Sequence, residues 1–230
     1  MSPSKSDIDL VPWDSRSEAH VLRLRQQRLT CGWGVEGVET SRSQLPGTQR
    51  LFLWLVLKPS HRDYAALLHT HRRRFPREEE PLADTARLTF PRRRSEPFVP
   101  IGHVALDVAP PGSAPNDRVG ASNFFVSPAL RGRELARQAV ETTTALASRY
   151  ARFLVAEVPV RDMERYERFG DGRPKFSLVD WYSSLGFRLT GGENRLVSEI
   201  DSEGRAWSVE LVAMELDLRG HERFTEKSLL

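Results

Sequence analysis

Residues 121 to 150 constrain this chain more than any other stretch, because the hydrophobic period changes there from that of a strand to that of a helix. Phe124, Phe125 and Val126 read as an apolar strand. Pro128 cannot donate to a ladder and ends it. Past Gly132, Leu135, Ala139, Leu146 and Tyr150 fall on one line, with Ala136, Val140 and Ala147 beside it, the stripe of an amphipathic helix. A strand that delivers a glycine-containing turn into a helix leaves unpaired N–H groups and the positive end of the helix dipole at one point. Arg131, Arg133 and Arg137 add charge there, and Gly132 leaves room for close approach. A phosphate-bearing ligand suits such a point.

The rest of the chain supplies a sheet around this unit. Ile8 to Trp13 reads as a short strand interrupted at Pro12, and Ser17 opens a helix that ends around Cys31-Gly32. Trp33, Val35 and Val38 suggest a second short helical segment. Leu51 to Leu57 is apolar at every position, so it reads as a central strand covered on both faces. Residues 58 to 99 hold two arginine runs, an acidic run and one expected helix around Arg62 to Arg74; they read as a basic insertion between strands. Ile101 to Val108 is the next strand, and Ala109 to Gly120 reads as a turn. Phe153 to Val158 is a buried strand directly after the helix of the opening unit, so the two strands flanking that helix should be parallel. Pro174 starts an expected helix through Phe176, Val179, Tyr182 and Leu185, stopped by Gly186, and Phe187 begins a short strand. Trp207 to Leu218 closes the chain as the last strand, and its apolar phase slips near Val212 to Met214, which predicts a bulge.

A chain of 230 residues buries about 70–75% of its extended surface, enough for one sizeable core. One domain over 1–230 is expected, with tails at 1–7 and 219–230. No apolar run is long enough for a bilayer, and the N-terminus lacks the apolar core of a signal peptide, so cytoplasmic or nuclear residence without a membrane partner is expected. The pI near 9.3 reflects local arginine runs, Arg72 to Arg74 and Arg92 to Arg94, because the net charge is only +3. These runs read as solvated loops, with nucleic acid or nuclear import machinery as the other reading. A single cysteine, Cys31, excludes an internal disulfide and reads as a buried small residue. His61, His69 and His71 lack a completing carboxylate or cysteine set, so they read as surface histidines and no metal is expected.

Arg131-Gly132-Arg133-Glu134-Leu135-Ala136 resembles the acyl-CoA motif of the GNAT superfamily of N-acetyltransferases, which reads Arg or Gln, two residues, Gly, one residue, Gly or Ala. Arg131 and Ala136 match; Glu134 stands where the family has its central glycine. Trp181-Tyr182-Ser183-Ser184-Leu185-Gly186-Phe187 resembles the family's late motif, although Lys175 replaces an asparagine often found seven residues before the tyrosine. The order of elements, from Ile8 to Leu218, is also that of the family.

The resemblance implies an α/β (α+β) fold: a mixed, largely antiparallel six- to seven-stranded sheet with helices on both faces and a splayed parallel pair. It implies acetyl-CoA as co-substrate and an unidentified amine as acceptor, a small molecule or a protein. The pyrophosphate would rest on the N–H groups from Arg131, Gly132, Arg133, Glu134, Leu135, Ala136 and Arg137, and the pantetheine arm on backbone near Phe125 and Val126. Tyr182 would protonate the departing thiolate. No motif identifies the base that takes the amine's proton; Glu157 is the first candidate, with His103 and Asp107 as alternatives. The acceptor site is expected between the first helical pair and the loop Gly191 to Ala206. The alternative is a GNAT-shaped binding module, weak or inactive as an enzyme, that uses its arginine clusters to contact nucleic acid or a protein.

Overall fold

The computed structural model describes residues 6–44, 50–86, 96–108, 117–161, 177–200 and 206–220. In chain order they form β1 (Ile8–Pro12), α1 (Glu18–Cys31), α2 (Gly37–Gln44), β2 (Arg50–Leu57), α3 (Tyr64–Arg74), β3 (Pro100–Asp107), β4 (Arg118–Val126), α4 (Leu135–Ala147), β5 (Phe153–Arg161), α5 (Leu178–Ser184), β6 (Arg188–Leu189), β7 (Arg195–Ile200) and β8 (Ala206–Asp217). All eight strands join one sheet in the order β1-β2-β3-β4-β5-β8, with β6 and β7 both pairing with β8. Every pairing is antiparallel except that of β4 with β5.

β2 shows why the sheet is covered twice. Leu53, Leu55 and Leu57 enter one core with α3 and α4, whereas Phe52, Trp54 and Val56 enter another with Val21 and Leu24 of α1 and Val38 of α2. Strand alternation sends successive side chains to opposite faces. Each such side chain removed from water contributes roughly 1.5–3 kcal/mol, so helices must lie on both faces. α1 carries its own boundaries: Ser17 caps it by accepting from His20 N, and Gly32, at φ +74, ends it with its N–H on the Arg28 carbonyl at 2.9 Å.

Four expectations about the secondary-structure elements are corrected. The sheet has eight strands, not six or seven, because Arg195–Ile200 forms a hairpin with β8 inside the stretch read as a loop. Leu196 on that hairpin is exposed, so no core-facing alternation marked it. β4 begins at Arg118, within the stretch read as a turn. α5 begins at Leu178 behind the extended, capping Ser177, so the helix does not run on from Pro174; Pro174, Lys175 and Phe176 lie outside the described residues. The phase slip in β8 is no bulge of that strand: Val209 and Leu211 pack with Trp33 and Val197 in a cluster of their own, whereas Met214, Leu216 and Leu218 enter the α4-side core. The register shift lies on the partner, between Pro159 and Arg161 of β5.

The stretch 58–99 also contributes to the interior. α3 places Leu67 and Leu68 in the α4-side core, and Leu82 pairs with Phe98 on the α1 side. His71 is buried rather than on the surface, and Arg92 to Arg94 lie outside the described residues.

Candidate active site

β4 and β5 pair only from Arg118 with Phe153 to Ala121 with Ala156. Beyond that point β4 stays with β3 and β5 stays with β8, so the two parallel strands part and open a gap in the sheet. A bulge in β4 accompanies the parting. Phe125 lies opposite His103 and Ser122 opposite Ala105, leaving Asn123 and Phe124 across from Val104 alone, and Asn123 has φ +53. Gly102 makes this possible, since a Cβ there would fall 2.1 Å from the Phe125 carbonyl oxygen. Nothing in the sequence singled out Gly102, because close backbone approach leaves no periodic trace.

The turn that follows leads to the start of α4. The N–H of Leu130 donates to Ser127 O and that of Arg131 to Pro128 O at 3.4 Å, which removes Arg131 from the expected set of free main-chain donors. The N–H groups from Gly132 through Arg137 meet no acceptor among the described residues; the first helical bond is Gln138 N to Glu134 O. Six main-chain donors at a helix N-terminus, those of Gly132, Arg133, Glu134, Leu135, Ala136 and Arg137, are therefore left without an acceptor among the described residues. Gly132 has φ +71 with open space where a Cβ would stand. Glu134 has φ +60, a left-handed backbone that suits glycine far better than an L-residue. Its carboxylate is exposed and pairs with Arg137 Nε at 3.2 Å.

α5 flanks the same gap on the α4 side. Phe124 of the bulge stacks on Trp181 at 6.5 Å between centroids, Trp181 meets Tyr182 edge-on at 5.0 Å, and Tyr182 meets Phe187 at 5.2 Å. This row ties the late motif to the bulge. Gly186, at φ +93, lets the chain turn so that Phe187 N donates to Tyr182 O. Burial of the ring raises the Tyr182 phenol above its ordinary value, so it stays protonated at neutral pH. The residue is half-buried, and its hydroxyl has no hydrogen-bond partner among the described residues.

The candidate bases fall on different ground. Glu157 projects from β5 to the α1 face, where both its oxygens accept from Arg195 of β7, Nε at 2.9 Å and Nη2 beside it. Asp107 pairs with Arg50 at 3.0 Å. His103 is fully buried, with Nδ1 sharing a hydrogen bond with Gln27 Oε1 at 2.9 Å, and burial depresses its pKa well below the ordinary imidazole value. Cys31 is buried, its thiol donating to the Arg28 carbonyl.

A buried polar network that sequence reasoning missed underlies these strands. Gln27 of α1 donates through Nε2 to Glu78 Oε2 at 2.8 Å and to Pro100 O at 3.1 Å. His71 Nε2 lies 3.6 Å from the same Glu78 oxygen, and His71 Nδ1 shares a hydrogen bond with Ser127 Oγ at 2.9 Å. Burial pushes Glu78 up to about 7 and His71 down to about 4, so both favour their neutral forms inside the protein. Among the described residues no group of three or more His, Cys, Asp or Glu has a metal-binding arrangement, and no helix is long and apolar enough to cross a membrane.

No family model and no curated protein matches the sequence. Solved structures do. One assigned as a phosphinothricin N-acetyltransferase is 12% identical and covers 92% of this chain and 98% of its own, with a TM-score of 0.50. The ribosomal-protein-S18-alanine N-acetyltransferase of Escherichia coli is 12% identical over 92% of this chain and 94% of its own, at 0.49. An aminoglycoside 6'-N-acetyltransferase complexed with coenzyme A is 12% identical over 91% and 97%, at 0.48. The chain has the fold of the GNAT acyl-CoA N-acyltransferases.

Proposed function

We propose that this protein is an N-acetyltransferase that moves an acetyl group from acetyl-CoA to a primary amine by direct attack. One observation carries the reading: the gap between β4 and β5 opens next to a turn whose six main-chain donors meet no acceptor among the described residues. A diphosphate on the donors of Gly132 to Arg137 would send a thioester arm along the free edge of β4, beside Phe125 and Val126. A bulge N–H aimed at the thioester oxygen would stabilise the developing charge by about 2.7–4 kcal/mol. The arginines at 131, 133 and 137 supplement the donors electrostatically, and Glu134 is drawn aside by Arg137.

Beyond that, the chain chiefly positions the two reactants, because a neutral amine attacks a thioester readily once held against it. Tyr182, protonated and with an uncommitted hydroxyl, gives its proton to the leaving thiolate. Glu157 takes the amine's proton after Arg195 swings away, since in the resting geometry its oxygens are occupied. Calorimetry tests the reading directly. Binding of CoA and acetyl-CoA is expected, with thiol release in an amine screen; a protein that gives no heat with either ligand is not a transferase of this kind.

A further inference from the structure

α1 buries two arginines, and they are treated differently. Arg23 donates from Nη2 to the Glu80 carbonyl at 2.6 Å and feels the carboxylates of Glu78 and Glu80. Arg28 is only 8% exposed, yet its guanidinium has neither a hydrogen-bond acceptor nor a carboxylate among the described residues. Four arginines along the sheet each have one: Arg50 with Asp107, Arg118 with Glu215, Arg152 with Asp217, Arg195 with Glu157. Holding a cation under cover without an anion is unfavourable by several kcal/mol. The Arg28 nitrogens are not sealed in, unlike Nη1 of Arg23, so an anion can reach them.

Their location gives the arrangement a use. Arg28 sits in the last turn of α1 and acts electrostatically on His103, whose ring lies 5.3 Å from that of Phe125 at the β4 bulge. His103 is neutral and supplies no negative charge. The chain after α1 is shaped around the guanidinium: at Gly34, φ +54, a Cβ would fall 2.5 Å from Arg28 Nη2. Arg28 thus stands on the α1 face near His103, which contacts the β4 bulge, opposite the face that carries Trp181 and Tyr182.

We infer that Arg28 holds the acceptor, and that the amine acetylated by this protein also bears an oxyanion, a carboxylate or a phosphate, seated on the Arg28 guanidinium. This rests on the transferase reading above. The planar fork of a guanidinium matches both groups, and charge-assisted bonds of this kind discriminate more strongly than neutral ones.

The test follows thiol release from acetyl-CoA with amino acids against their amides and with O-phosphoethanolamine against ethanolamine, in the wild type and in Arg28→Met. The wild type should prefer the anionic partner of a pair by about 10- to 100-fold in kcat/KM. A larger gain with amino acids indicates a carboxylate, and one with phosphoethanolamine a phosphate. Arg28→Met should erase the preference while CoA affinity by calorimetry stays unchanged. Acetylation of neutral amines alone, or a preference that survives the substitution, overturns the inference. A second readout needs no turnover: N-acetyl amino acids, but not their amides, should raise the wild-type melting temperature and leave Arg28→Met unmoved. Removing a buried charge that has no partner should not lower stability, so an unfolded Arg28→Met would assign Arg28 a structural partner and also overturn it. Absence of CoA binding would remove the transferase reading by itself, visibly apart from these outcomes.

Discussion

Glu78→Gln isolates the energetics of the buried network. Glu78 is 2% exposed, and among the described residues Arg23 is the cation that acts on it, so burial dominates and lifts its pKa from 4.5 to about 7. A carboxyl whose folded pKa lies above its unfolded one binds more protons in the native state between those two values. The stability it contributes is therefore complete below 4.5 and is lost as pH rises through about 7. Linkage puts the loss between pH 5 and pH 8 at about 2.5 kcal/mol. Glutamine keeps an oxygen for the Gln27 donor and carries no ionisable proton, so it imitates the protonated acid without titrating. His71 works in the opposite sense: its pKa, lowered to about 4, costs stability as pH falls below 6.5, but it does so in both proteins and cancels in their difference. Urea unfolding at several pH values measures that difference. The variant should gain on the wild type by about 2.5 kcal/mol from pH 5 to pH 8. Parallel stability curves would mean that Glu78 is ionised throughout, and the assignment of burial as the dominant cause would be wrong.

Three further variants address the site. Glu134→Gly relieves an L-residue held at φ +60, a conformation that costs about 1–2 kcal/mol, and takes a carboxylate away from the proposed phosphate donors; calorimetry should show tighter CoA binding, and weaker binding would place the carboxylate in a supporting role. Tyr182→Phe removes a hydroxyl without a partner among the described residues, so stability should stay within about 0.5 kcal/mol while kcat falls and the CoA dissociation constant holds; full turnover would leave Tyr182 a packing residue alone. Gly102→Ala drives a methyl into the Phe125 carbonyl, a backbone atom that cannot move aside singly, and should cost about 1–3 kcal/mol together with a loss of CoA affinity by calorimetry, whereas an undisturbed protein would show that the bulge has slack.

What the sequence disclosed was whatever is written in local chemistry. Ser17 and Gly32 bound α1 because capping is decided within a few residues, and the seven apolar positions of Leu51 to Leu57 required two covered faces whatever their partners. The strand-turn-helix at 121–150 was legible for the same reason, and so was the turn at Gly186 after α5. Features that depend on distant partners were not. The bulge at Asn123 exists because β3 brings Gly102 against Phe125, and β7 is a strand only because β8 lies beside it. His71, Glu78 and Gln27 read as ordinary polar residues of a helix or loop, since their partners lie 51 and 56 residues away along the chain. The capture of the Glu157 carboxylate by Arg195 was equally invisible, being a contact between strands 38 residues apart.

The stitching of α3 and its following turn into the sheet changes how the 58–99 stretch should be regarded. Through Glu78 it answers Gln27 beneath one face, and through His71 it reaches Ser127 at the end of β4. Excising it would strip those side chains of their partners and unroof Leu53 and Leu55, so a shortened protein would report on folding before it reported on substrate. What reads along the chain as an ornament is, in three dimensions, a keystone, and any trimming should spare the chain from Tyr64 to Ala86.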